Sequence, residues 1–147
     1  MVRRYFSTED TNLTTATLTG GRNQDYADIN LLFEKKPSGD VYKKTAGEAV
    51  KQAVKNLLLT NIGEKPFSPY FGGGLHNYLF ELGNESTALE IENQVKFAIE
   101  NWEPRAIVRD VQISFTPDAN DLRVRVEFKV TNIEEVITLE TTVQRLR

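Results

Sequence analysis

The sequence predicts an α+β domain: two long helices and a short helix packed on one face of a three- to four-stranded antiparallel sheet. Three observations carry this. Apolar residues recur at helical spacing over 46–59, and they do so again from Ala88 to Trp102. Leu122, Val124, Val126, Phe128 and Val130 alternate without a fault against Arg123, Arg125, Glu127 and Lys129. A 3.6-residue period marks an amphipathic helix, and a period of two marks a strand with one buried face. The chain has 147 residues, 39% of them apolar and 10% aromatic, enough to bury a real core in a single domain.

Residues 1–27 read as an N-terminal extension, and 28–147 as the domain. From Ser7 to Asn30 the chain is rich in Thr, Asn, Gly and Asp. Thr11 to Thr19 is β-prone, but its only sizeable apolar side chains are Leu13 and Leu18. Such a segment buries too little to hold itself in place, so it is an arm that orders on a partner or a strand added to an existing sheet. The apolar run from Asp28 to Phe33 is a short strand followed by a loop. Asp40 and Thr45 are candidate caps for the first helix, whose inward stripe is Ala46, Ala49, Val50, Ala53, Val54, Leu57 and Leu58. Lys51, Gln52, Lys55 and Asn56 face away. Gly63 suits the left-handed conformation past the helix end.

Residues 64–74 form a loop holding Pro66, Phe67, Pro69, Tyr70, Phe71 and three glycines. Aromatics in a loop imply that it packs down on something. A short helical turn follows over 75–82. Asn84, Ser86 and Thr87 are candidate caps for the second long helix, Thr87 with Glu90 having capping-box spacing, and Pro104 ends that helix near Glu103. The last third is β. Val111, Ile113 and Phe115 alternate, a turn spans 117–121, the strand 122–130 follows, and Thr131-Asn132 turns into a strand over 136–146. Ile137, Leu139, Thr141 and Val143 share one face of that last strand.

Composition excludes much chemistry. There is no Cys and one His, His76, so disulfides, thiolate catalysis and multi-His or Cys-based metal sites are out, and no cofactor is expected. Eighteen basic against 21 acidic side chains, a net charge of −3, argue against nucleic acid as a main partner. No apolar run approaches the roughly 20 residues of a membrane span, and the basic N-terminus lacks the apolar stretch of a secretory signal. Gly72-Gly73-Gly74 is followed by Leu75-His76 rather than Lys and Ser or Thr, so loop flexibility is preferred over a phosphate cradle. His76 lacks a nucleophile motif around it and reads as an ordinary loop histidine. Glu64, Glu81 and Glu103 lie beside apolar rings, where a raised pKa would suit a general acid, but ion pairs and helix caps account for them more simply.

Two features read as partner surfaces. Pro104 fixes a rigid corner from which Glu103 and Arg105 project, and Arg105 can fork onto a carboxylate, its own or a partner's. The last two strands are long and free of Pro, and one of them lies at a sheet edge. That edge is either blunted by Arg123, Arg125, Glu127 and Lys129 or open to a partner's strand.

Asn56-Leu57-Leu58-Leu59-Thr60, Gly63-Glu64-Lys65-Pro66-Phe67, Pro69, Phe71-Gly72, Gly74-Leu75, Leu79-Phe80-Glu81 and Glu103-Pro104-Arg105, taken in order, resemble the baseplate wedge proteins of contractile-tailed phages. That family also includes a baseplate component of the type VI secretion system. Asp28-Ile29 and Asp40-Val41 extend the resemblance over about 28–147. Two departures are Lys65, where Arg is commoner, and the residues before Asp28. The resemblance implies a non-enzymatic virion protein, made in the host cytoplasm and assembled in six copies into the tail baseplate. Its partners would be wedge core-bundle proteins, the tail sheath protein and tube or hub proteins. It implies that Glu103, Pro104 and Arg105 dock to the core bundle, so that Arg105→Ala leaves the fold intact and abolishes incorporation. It implies that Gly63, Glu64, Pro66, Phe67, Pro69, Phe71 and Gly72 form the loop motif, and that sheath arms add strands to 122–130 and 136–146. The family's lysozyme label would make Glu64 and Glu81 a catalytic pair, and a muramidase is the second reading.

Overall fold

A computed structural model describes residues 26–116, 121–131 and 133–144. The extension up to residue 25, the turn tip at 117–120, Asn132 and the last three residues lie outside the described residues. Tyr26 and Ala27 already belong to the fold: Tyr26 packs against the core and Ala27 opens the first strand.

Strands β1 (Ala27–Ile29) and β2 (Lys43–Thr45) pair antiparallel in a small sheet of their own, with Asp28 opposite Lys44. The strand expected across 28–33 stops at Ile29 for a local reason. Asn30 turns the chain by accepting the Leu32 N–H on its side chain, and Phe33 takes a φ of 51°. Helix α1 (Ala46–Leu59) then starts directly from β2. Thr45 occupies the cap position without a side-chain bond, and Asp40 caps the Val41 N–H instead. Ala49, Val50, Val54, Leu57 and Leu58 are buried, as the spacing predicts. Gln52, expected to face away, is only 7% exposed.

The chain leaves α1 at Thr60 in an extended conformation, so Gly63, with a φ of 86°, serves the loop rather than the helix end. The helix end is closed by the glycine run. Gly73 donates its N–H to the carbonyls of Leu57 and Thr60, at 2.9 and 3.1 Å, satisfying groups a helix terminus leaves open. A Cβ on Gly73 would lie 2.9 Å from the Leu58 Cα and carbonyl oxygen. The Gly73 N–H is thus spent on the end of α1 and is not free for a phosphate.

A 3₁₀ helix (Leu75–Phe80) leads to α2 (Glu85–Trp102). Asn84 caps α2 by accepting the Thr87 N–H at 2.8 Å, so Thr87 sits inside the first turn and does not open a capping box with Glu90. The helix ends at Trp102, before Pro104. Strands β3 (Ala106–Thr116), β4 (Asp121–Val130) and β5 (Val136–Gln144) form an antiparallel sheet in the order β3-β4-β5. β3 begins five residues earlier than its alternation shows, because a bulge between Val108 and Asp110 breaks the period. Helix α1 packs toward β5 and α2 toward β3. Val50, Val54, Ile91, Val95 and Ile99 share one buried core with Leu122, Val124, Val126, Phe128 and Val130 of β4. Each such side chain contributes about 1.5–3 kcal/mol relative to exposure.

Candidate functional site

The corner between α2 and β3 is more self-contained than its sequence implies. Glu103 is 6% exposed, and Arg105 grips its carboxylate with two parallel N–H donors, Nε to Oε1 at 2.5 Å and Nη2 to Oε2 at 2.6 Å. The Arg105 guanidinium also lies over the Tyr26 ring, 5.0 Å from its centroid. Its pKa is held above the usual arginine range, chiefly by the hydrogen bonds to Glu103 and against the opposing effect of burial. The Arg105 carbonyl accepts both the N–H and the hydroxyl of Thr131. Of the two forks open to Arg105, the structure takes the internal one. Arg105→Ala would therefore leave a buried carboxylate without its counter-charge, which argues for a cost in stability in place of an undisturbed fold. Pro104 is exposed at this corner and the Arg105 side chain partly so.

The loop motif abuts this corner. Phe71 packs edge-on against Trp102, with ring centroids 5.4 Å apart, and the Lys65 ammonium sits 3.9 Å from the Phe71 ring centroid. The loop motif thus touches the chain at Trp102, the residue just before the corner. Two backbone hydrogen bonds cross the loop: Gly63 N–H donates to the Pro69 carbonyl at 2.8 Å and Phe71 N–H to that of Ser68 at 3.0 Å. Only Phe71 packs down as expected. Phe67 is fully exposed at a φ of 63°, and Tyr70 is 81% exposed, so these rings project from the domain. Pro66 and Pro69 are exposed beside them, and Gly72 is buried under the loop.

The two glutamates of the muramidase reading are engaged separately. Glu64 accepts the Asn61 N–H at 2.8 Å, a turn-stabilising contact. Glu81 lines a cavity of about 260 Å³ with Tyr78, Leu82 and Phe115, and a second one with Tyr78 and Glu90; Glu64 lines neither. Burial, then Glu90 and Glu81, pushes the Tyr78 hydroxyl above its ordinary pKa. The Nδ1 of His76 is enclosed with no partner among the described residues.

The strands expected to accept a partner divide. β4 is the central strand, bonded to β3 on one side and β5 on the other, so it has no edge to offer. This corrects the expectation for 122–130: Leu122, Val124, Val126, Phe128 and Val130 are all core. Leu139, Thr141 and Val143 are buried too, and Ile137 is half-buried. These side chains hold the sheet to the helices, and only a backbone edge remains for another chain.

The two edges differ. β3 carries the bulge at Val108/Asp110, a device that disfavours further pairing. β5 pairs with β4 in unbroken register from Val136, opposite Lys129, to Gln144, opposite Asp121. It has no proline, no bulge and one charged residue, Glu140. Among the described residues no strand pairs with its outer edge.

Sequence reasoning missed Gln52. Its amide donates to the Asp28 carboxylate at 3.2 Å and the Ile29 carbonyl at 2.8 Å, and its oxygen accepts the Leu31 N–H at 3.4 Å. A polar residue beside a helical stripe gives no sign that a hairpin will fold back on it.

Residues 44–134, more than half of the chain, match the family model described as baseplate wedge protein gp25. The chain is 27% identical over 118 residues to the baseplate wedge protein gp25 of Enterobacteria phage T4, covering 80% of this chain and 88% of that protein. Its fold is similar to a crystal structure from Geobacter sulfurreducens described as a tail lysozyme. The TM-score is 0.61 at 30% identity, over 68% of this chain and 91% of that one. It is also similar to a chain of the six-fold symmetrised anti-feeding prophage baseplate, with a TM-score of 0.58 at 22% identity, over 82% of this chain and 86% of that one.

Proposed function

Because the chain belongs to the baseplate wedge protein gp25 family, structural components of contractile injection systems, we propose that it docks to the wedge core and starts the sheath by accepting a strand. The observation that carries this is β5, a regular nine-residue edge strand with no proline, no bulge and a single charged residue to blunt it. An added strand gains affinity from main-chain hydrogen bonds along such an edge. The arm that adds is a terminal segment of the sheath protein. The corner of Pro104 and Arg105, together with the exposed loop rings Phe67 and Tyr70, docks to the core bundle. Residues 1–25 serve as an assembly arm.

The role is structural and not enzymatic. Glu64 is committed to a backbone turn, and it shares neither of the cavities lined by Glu81. Six copies per baseplate fit the symmetry of the anti-feeding prophage assembly.

The test is sheath nucleation. Wedge complexes containing this chain are mixed with its own sheath protein, and polymerisation is followed by light scattering and electron microscopy. Sheath that grows only when the chain is present supports the reading. Equal growth from wedges lacking it removes the sheath role.

A further inference from the structure

A groove of about 300 Å³ runs beside β5, between α1, the turn after β1, and the strand itself. Its apolar lining is Leu31, Leu32 and Leu139, of which Leu31 and Leu32 are 48% and 73% exposed. Its cations are Lys44, Lys51 and Lys55, none of which makes an ion pair among the described residues. Two carboxylates also line it: Glu140, which faces Arg123 at 3.5 Å, and Glu48. Glu48, like the three lysines, makes no ion pair among the described residues, so the net unpaired charge is positive. The outer wall is held in place, because the Gln52 amide ties Asp28, Ile29 and Leu31 to α1.

We propose that this groove selects the strand that adds to β5, accepting one with acidic side chains flanking an apolar centre on its helix-facing side. The inference rests on the strand-addition reading. Side chains of a strand alternate in direction, so a strand bonded to the outer edge of β5 turns every second residue toward α1 and the hairpin. Apolar residues there cover Leu31 and Leu32, and carboxylates reach the lysines. A basic strand would bring like charges together in a partly desolvated groove, which penalises the wrong partner more than it strengthens the right one.

The test uses the full chain with three appended nine-residue strands, the length of β5. Each is joined to Arg147 by the same Gly-Ser linker, and they differ only in carrying Glu, Gln or Lys at the flanking alternate positions. Tethering raises the effective concentration, so a weak strand still registers. The readout is deuterium exchange of 136–144, measured in parallel with the untethered chain mixed with its sheath protein.

The Glu strand is expected to protect β5 about tenfold more than the Lys strand, a margin that shrinks at high salt. Lys51→Glu with Lys55→Glu should reverse the order, and should weaken protection by the sheath protein. Equal protection by all three strands, or by none while the sheath protein still protects β5, overturns the selection and leaves strand addition standing. Protection of β5 before any strand or sheath protein is added overturns the proposal by showing the edge already filled. Failure of every strand and of the sheath protein overturns strand addition itself.

Discussion

Arg105 holds Glu103, two residues earlier in the chain, in a two-pronged contact of 2.5 and 2.6 Å that neutralises a carboxylate only 6% exposed. Pro104 sits between them and fixes the backbone so that both side chains fold onto the same spot. The corner is thus part of the domain's own packing as well as a candidate contact, and its mutants must be read for stability before binding.

Arg105→Ala should lower stability by about 3 kcal/mol, the low end for breaking a buried pair, since Arg105 itself is partly exposed. Arg105→Lys keeps the charge, loses the fork and should cost about 1 kcal/mol. Urea denaturation checks both. Adding Glu103→Gln to Arg105→Ala should recover more than half of the loss, because the stranded charge is removed; no recovery would mean that the pair is not what holds the corner.

Gly73→Ala should cost about 2–3 kcal/mol, because the new methyl meets the Leu58 backbone at 2.9 Å and the helix cannot retreat without losing its core contacts. A thermal melt that matches the parent chain would show that the glycine run is not clamped to α1.

Gln52→Ala should cost about 2 kcal/mol by removing the bonds that tie the hairpin to α1. Its particular signature is local. Amide exchange should speed up over 27–45 while the β4 amides stay protected. Uniform acceleration would mean that the hairpin does not open independently.

Phe67→Gly should leave stability unchanged or raise it by about 1 kcal/mol, since a fully exposed ring at positive φ contributes no packing and glycine relieves the backbone. If the ring is a docking anchor, incorporation into wedges should fall all the same. A destabilised Phe67→Gly chain would contradict this account of the loop.

What could be read from the residues alone followed from periodicity. The α1 stripe and the alternation of β4 are strong signals because each buries one regular face. β2 was not legible, since Lys43-Lys44-Thr45 carries no apolar period and is defined only by its partner. Alternation could not say which of the last two strands lies at the edge, because it reports which face is buried and is silent on which strands flank it; the order β3-β4-β5 assigns the edge to β5. Phe67 and Tyr70 looked like packed rings for a related reason. Hydrophobicity says that a side chain seeks cover, and it does not say whether that cover lies within the chain.

The central claim is tested most directly by a cryo-EM reconstruction of assembled baseplates carrying this chain and the first sheath ring. The account predicts a fourth strand beside β5, bonded to the outer edge of 136–144 and contributed by a sheath subunit. A map in which that edge faces solvent, with the sheath anchored elsewhere on the wedge, would contradict it.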